Sequence, residues 1–119
     1  MREEMEATAA KLGVGGYRRH VLLCTGEKCC TAEDGAAAWE ALKAAHKEAG
    51  LGAGENACYR TKVGCLRICL GGPILLVYPD GTYYGGMTAE RIPEFVREHL
   101  VEGRPVEGRI FARNPLPMA

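Results

Sequence analysis

Two close pairs of cysteines, Cys24/Cys29 and Cys65/Cys69, have the residue type and spacing best suited to chemistry in this chain. The first pair is spaced C-x₄-C and the second C-x₃-C, with a long segment between them. Two thiolate pairs brought together by folding make a four-sulphur pocket for a soft metal centre. In a small domain with no other evident chemistry, such a pocket points to electron transfer. A structural zinc site, a disulphide framework and a thiol redox pair compete with that reading. Zinc Cys₄ sites commonly use closer C-x₂-C pairs. Thioredoxin-type redox pairs need C-x-x-C, which does not occur here.

A two-iron, two-sulphide rhomb takes two protein sulphurs on each iron, which two close cysteine pairs can supply. Gly26, Gly64, Gly71 and Gly72 lie beside the cysteines. Glycine allows close backbone approach and positive φ, so that amides can be aimed at sulphur. Such amides matter because the oxidised cluster with four thiolates sums to a charge of about −2. Lys28, Arg60, Lys62 and Arg67 would also stabilise that charge if they lie near. Cys30 competes with Cys29 for the second position, since C-x₄-C and C-x₅-C are barely separable by spacing and adjacent side chains diverge. Cys58 sits mid-strand and reads as a small buried apolar residue.

The whole chain narrows the choice. At 119 residues it has the size of one domain. Lys and Arg number 15 against 15 Asp and Glu, which argues against a nucleic-acid grip. No apolar run approaches the length of a membrane span. The start, Met1 to Glu6, lacks the apolar core of a signal peptide, so the expected location is the cytoplasm. Thiols stay reduced there, and six cysteines read better as ligands or redox groups than as disulphides.

The elements that must position the cysteines follow from pattern. Residues 1–17 form a lead-in with a short helix over Glu3 to Leu12, ended by Gly13. A strand over Arg18 to Cys24 runs straight into the first cysteine. Thr31 is an N-cap for a helix reaching about Ala49, with Ala38, Leu42, Ala45 and Ala49 inward and Trp39 beside them. Residues 55–63 suit a second strand, and Gly64 to Gly72 is an irregular loop holding the second pair. Pro73 to Tyr78 is an apolar run typical of a strand buried on both faces. Pro79-Asp80-Gly81 turns it back into Thr82–Tyr84. A last helix opens at Thr88, regular from about Pro93, with Ile92, Phe95, Val96 and Leu100 on one side. Residues 104–119, with three prolines and little periodicity, read as a tail.

The run His20-Val-Leu-Leu-Cys24-Thr-Gly-Glu-Lys-Cys29, then Gly64-Cys65-Leu-Arg-Ile-Cys69-Leu-Gly-Gly-Pro73, resembles the thioredoxin-like [2Fe–2S] ferredoxins. Val77-Tyr-Pro-Asp-Gly81-Thr-Tyr-Tyr84 and the last helix are similar as well. The resemblance covers about residues 18–103, and the peripheral [2Fe–2S] subunit of NADH dehydrogenase shares the cysteine plan. It implies an α/β, thioredoxin-like fold with a mixed central sheet of about four strands flanked by helices. It implies a [2Fe–2S] cluster held by Cys24, Cys29, Cys65 and Cys69, a homodimer, and redox partner proteins in place of a substrate. A zinc-binding Cys₄ interaction module and an electron-transfer subunit of a larger oxidoreductase are the alternatives. His20 and His46 read as surface or strand-edge residues, not as Rieske-like ligands. Trp39 and the tyrosines read as packing residues.

Overall fold

The computed structural model describes residues 1–117. Helix α1 (Arg2–Leu12) buries no residue and ends on Gly13, whose φ of 87° closes the last turn. Strand β1 (Arg19–Cys24) follows, then helix α2 (Ala32–Glu48). Thr31 caps α2, its hydroxyl oxygen accepting from the Asp34 amide at 3.0 Å. Strand β2 (Cys58–Val63) comes next, then the hairpin of β3 (Ile74–Tyr78) and β4 (Thr82–Tyr84). A short helix, α3 (Ile92–Phe95), is preceded by a 3₁₀ turn and widens into π-helical turns over Val96–Val101. Strand β5 (Ile110–Arg113) is the last regular element.

The sheet has five strands in the order β2-β1-β3-β4-β5. β1 pairs parallel with β2 and antiparallel with β3. A parallel pair needs a crossover, which α2 provides. This is one strand more than expected, because Ile110–Arg113, read as tail, pairs with β4. The strand has only four residues and a single neighbour, and its Phe111 is exposed, so it carries no alternating pattern to read. The last helix is also less regular than its spacing predicts, since Ile92 and Pro93 open the α-turn and the π-helical stretch follows at once.

The core lies between the sheet and the helices. Val21, Leu23, Leu75 and Val77 meet Ala38, Leu42, Ile92, Phe95, Val96 and Leu100 there. Gly35 is buried on α2, whereas Ala49, expected inward, is exposed where the helix ends.

A chain of polar groups ties the far end of the sheet to this core. The Arg19 guanidinium donates to both Asp80 carboxylate oxygens, at 3.1 and 3.2 Å. His99 Nε2 lies 2.8 Å from Asp80 Oδ2, and its Nδ1 lies 2.7 Å from the Tyr84 hydroxyl. That hydroxyl accepts from the Val106 amide at 3.0 Å. One tautomer satisfies every link: Nε2–H donates to Asp80 while Nδ1 accepts from Tyr84. Burial pushes the Tyr84 phenol up to about 12, so it keeps the proton it donates. Burial also raises Asp80, but the His99 hydrogen bond and the Arg19 charge outweigh it and hold the carboxyl below its ordinary range. For His99, burial outweighs the pull of Asp80 and lowers the imidazole below its ordinary value of 6.5.

A folded-state pKa below the unfolded one means that the unfolded chain takes up the proton first, so stability is lost as the pH falls. The thermal midpoint should therefore be level between pH 6.5 and about pH 8, where unfolded thiols begin to ionise, and decline from pH 6.5 toward pH 5, with His20, also lowered by burial, adding the same sign. A His99→Gln variant should start lower and show a shallower decline. A midpoint independent of pH over this window would contradict the assignment of a neutral buried His99.

Candidate metal centre

The β1–β2 register pairs Arg19 with Cys58 at one end and Cys24 with Val63 at the other. Because the strands are parallel, both cysteine loops leave the sheet at the same end. The Thr25 amide donates to the Val63 carbonyl at 3.0 Å and carries the pairing one step past the strands. Gly26 then packs directly on Gly64, and a Cβ on Gly26 would overlap the Gly64 carbonyl. Beyond it, the amides of Cys29 and Cys30 turn back onto the Gly26 carbonyl at 2.9 and 3.2 Å.

A cavity of about 210 Å³ opens between the two loops. Its walls are Cys24, Cys29, Cys65 and Cys69 together with Glu27, Lys28 and Gly64. The four cysteines expected from their spacing thus share one cavity, and the other two lie elsewhere. The Cys30 sulphur faces the start of α2, where a Cβ on Gly35 would lie 3.2 Å from it. Cys58 is buried in the main core, and burial pushes its thiol up to about 11.

The two pairs differ in setting. Cys24 and Cys29 are buried and pack with Ile74 in a small second cluster, which Val63, Leu66, Ile68 and Tyr83 flank. The Cys29 Sγ reaches back toward the Cys24 carbonyl at 3.6 Å. Gly72 closes over it. The Gly72 amide donates to the Cys29 carbonyl at 2.8 Å, and a Cβ on Gly72 would overlap the Cys29 sulphur. Burial raises the Cys29 thiol to about 12, so a thiolate here needs positive charge beside it. Cys65 and Cys69 are exposed.

The second loop is wound tightly. Arg67 and Cys69 both take positive φ, 69° and 62°, which costs an L-residue about 1–2 kcal/mol each. The winding turns the Arg67 amide onto the Cys65 sulphur at 3.2 Å, an N–H···S bond of the kind the flanking glycines suggested. The histidines stay away from the cavity. His20 Nε2 contacts the Thr61 hydroxyl and His46 Nε2 the Cys58 carbonyl, each at 2.6 Å. No family model matches the chain.

Relatives agree on one class of protein. A [2Fe–2S] ferredoxin of Aquifex aeolicus is 40% identical over 57 residues, covering 48% of this chain and 51% of that protein. A putative 2Fe-2S ferredoxin of Priestia megaterium is 31% identical over 90 residues, covering 76% of this chain and 67% of that one. The solved thioredoxin-like [2Fe–2S] ferredoxin of Aquifex aeolicus superposes with a TM-score of 0.73 at 26% identity, covering 85% of this chain and 96% of that one. The fold is therefore thioredoxin-like. The chain belongs to the [2Fe–2S] ferredoxin family. Its matched stretches span about half the length of the Aquifex and Clostridium pasteurianum relatives.

The two glycine contacts give a direct test of the loop geometry. Gly26→Ala and Gly72→Ala should each cost about 1–3 kcal/mol in urea unfolding, because the added methyl meets backbone or a buried sulphur. Gly52→Ala, where nothing lies within 4 Å, should stay within about 0.5 kcal/mol of the parent. Equal effects at all three sites would mean that the loops do not touch in this way.

Proposed function

We propose that the protein is a one-electron carrier that holds a [2Fe–2S] cluster through Cys24, Cys29, Cys65 and Cys69. One observation carries this reading: of the six cysteines, only these four line the cavity between the two loops. They stand as two pairs on two loops. A two-iron rhomb asks for two sulphurs on each iron, one pair from each side.

The cluster would supply a one-electron couple with no substrate of its own. The chain's part is ligation, solvent control and compensation of charge. Cys24 and Cys29, packed against Ile74, Leu66 and Ile68, keep water from one side. Cys65 and Cys69 leave the other side open to a partner. The Arg67 amide offsets negative charge at the Cys65 sulphur, and Lys28 in the cavity wall adds a cation. Gly72 and Gly26 let the loops close tightly, since a Cβ at either would overlap the Cys29 sulphur or the Gly64 carbonyl.

The same reading makes the protein a carrier rather than an enzyme, working with redox partner proteins as a homodimer in the cytoplasm. No helix among the described residues is long and apolar enough to cross a membrane. Purified without oxygen, the protein should be reddish-brown with about two irons per chain, and dithionite should bleach it. Cys29→Ser should abolish or strongly alter the spectrum, while Cys30→Ser and Cys58→Ser should leave it nearly intact. A colourless protein carrying zinc would overturn the reading, and the reverse pattern at Cys29 and Cys30 would move the second ligand. Size-exclusion chromatography of the native protein should give a small dimer, not a large complex.

A further inference from the structure

β2 is a border strand of the sheet. Arg60 and Lys62 stand two residues apart on it and so share a face. Their register partners are Val21 and Leu23, which point into the core against α2. On α2, Trp39 lies half-buried beside both cations. The Arg60 Cζ is 5.2 Å from its ring centroid and the Lys62 Nζ 5.8 Å. A ring face attracts one cation. Two cations on one ring also repel each other, and a third, negative charge would relieve that.

Among the described residues no carboxylate pairs with either cation, and Glu40, in the same groove as Arg60, pairs with Lys43. Arg2, Arg19, Lys43, Arg97, Arg104 and Arg113 each pair with a carboxylate. Arg60, Lys62, Lys28 and Arg67 pair with none, as is true of Lys11, Arg18, Lys47, Arg91 and Arg109, and the Arg60 Nε alone among arginine nitrogens is buried without a hydrogen-bond partner. Two of these cations, Lys28 and Arg67, sit at the metal centre, and Lys62 precedes it on β2. Val63, next to Lys62, is the register partner of Cys24, and Gly64 and Cys65 follow it. Lys28 lines the cavity, where Glu27 is the one carboxylate, and Arg67 is exposed between Cys65 and Cys69.

We propose that Trp39, Arg60 and Lys62, continued by Lys28 and Arg67 at the cavity mouth, form the docking surface for an acidic face of the protein with which this one exchanges electrons. The inference rests on the electron-carrier reading. The patch is short and the chain is neutral overall, which suits a protein surface better than the long phosphate track of a nucleic acid. Complementary charge of this kind speeds encounter and fixes orientation more than it adds affinity. It would bring the partner to the side on which the exposed cysteine pair stands.

Two measurements on the intact protein test this. Trp39 is the single tryptophan, so its indole N–H gives one resonance within the patch. Added polyglutamate should shift that resonance saturably at low salt, and Lys62→Glu should weaken the effect roughly tenfold. Arg113→Glu, on the opposite border strand of the sheet, should not. The shift should vanish in 1 M salt, where screening acts over about 3 Å. In voltammetry, electron exchange should be roughly tenfold faster at a carboxylate-terminated gold electrode than at an amine-terminated one, and Lys62→Glu should remove that preference. An indole that ignores polyglutamate, one that responds more strongly to a DNA duplex of equal charge, or equal currents at both electrodes would overturn the docking surface and leave the electron-carrier reading standing. An indole that shifts in a protein with no iron and no current would instead sink the electron-carrier reading, and the redox docking role with it.

Discussion

β1 and β2 run parallel, and the rest of the site depends on that pairing. Had the second strand run the other way, Cys65 would leave the sheet at the pole opposite Cys24. With parallel strands the loops exit side by side, and their separation is set by how closely two backbones can approach. Gly26 against Gly64 makes that approach as close as carbon and oxygen allow. The crossover helix α2 is the price of the arrangement, and its buried face, Gly35, Ala38 and Leu42, holds it to the sheet.

On this frame the four thiols meet two different surroundings. The first pair sits on short, well-paired backbone with apolar neighbours, and burial makes the Cys29 sulphur hard to ionise. The second sits on a loop with positive φ at Arg67 and Cys69, where the Arg67 amide meets the Cys65 sulphur at the cost of strain. One side therefore supplies rigidity and exclusion of water, the other access. A carrier must protect its redox group and still pass an electron through a surface, and the division between the pairs meets both demands.

Much of this could be read in the residues. The apolar run ending at Cys24, the Thr31 cap, the unbroken Ile74–Val77 stretch and the Asp80-Gly81 turn each state a local preference strongly enough to fix an element. What stayed hidden is long-range. Asp80 looks like a turn residue, yet it grips Arg19 and His99 from elsewhere in the chain. His99 gives no sign of burial, since a polar residue within a charged helix reads as solvated. Four residues with one neighbour are too few to announce β5. Cys29 and Cys30 are one position apart, and spacing alone barely separates them. They differ in direction, one toward the cavity and the other toward Gly35.

The sheet register also fixes where the chain enters the sheet and where it leaves it. Cys24 stands opposite Ile74, whereas His20 stands opposite Tyr78, at the other end of the strands. There the Asn114 and Leu116 amides bond to the carbonyls of Gly81 and Pro79, and Tyr17 stacks on Tyr59 a step from Arg19 and Cys58. A strand of six residues separates these poles by about 20 Å. A label, surface anchor or fused domain joined at either Tyr17 or Leu116 would hang from the back of the molecule and leave its sulphur-lined front facing the medium.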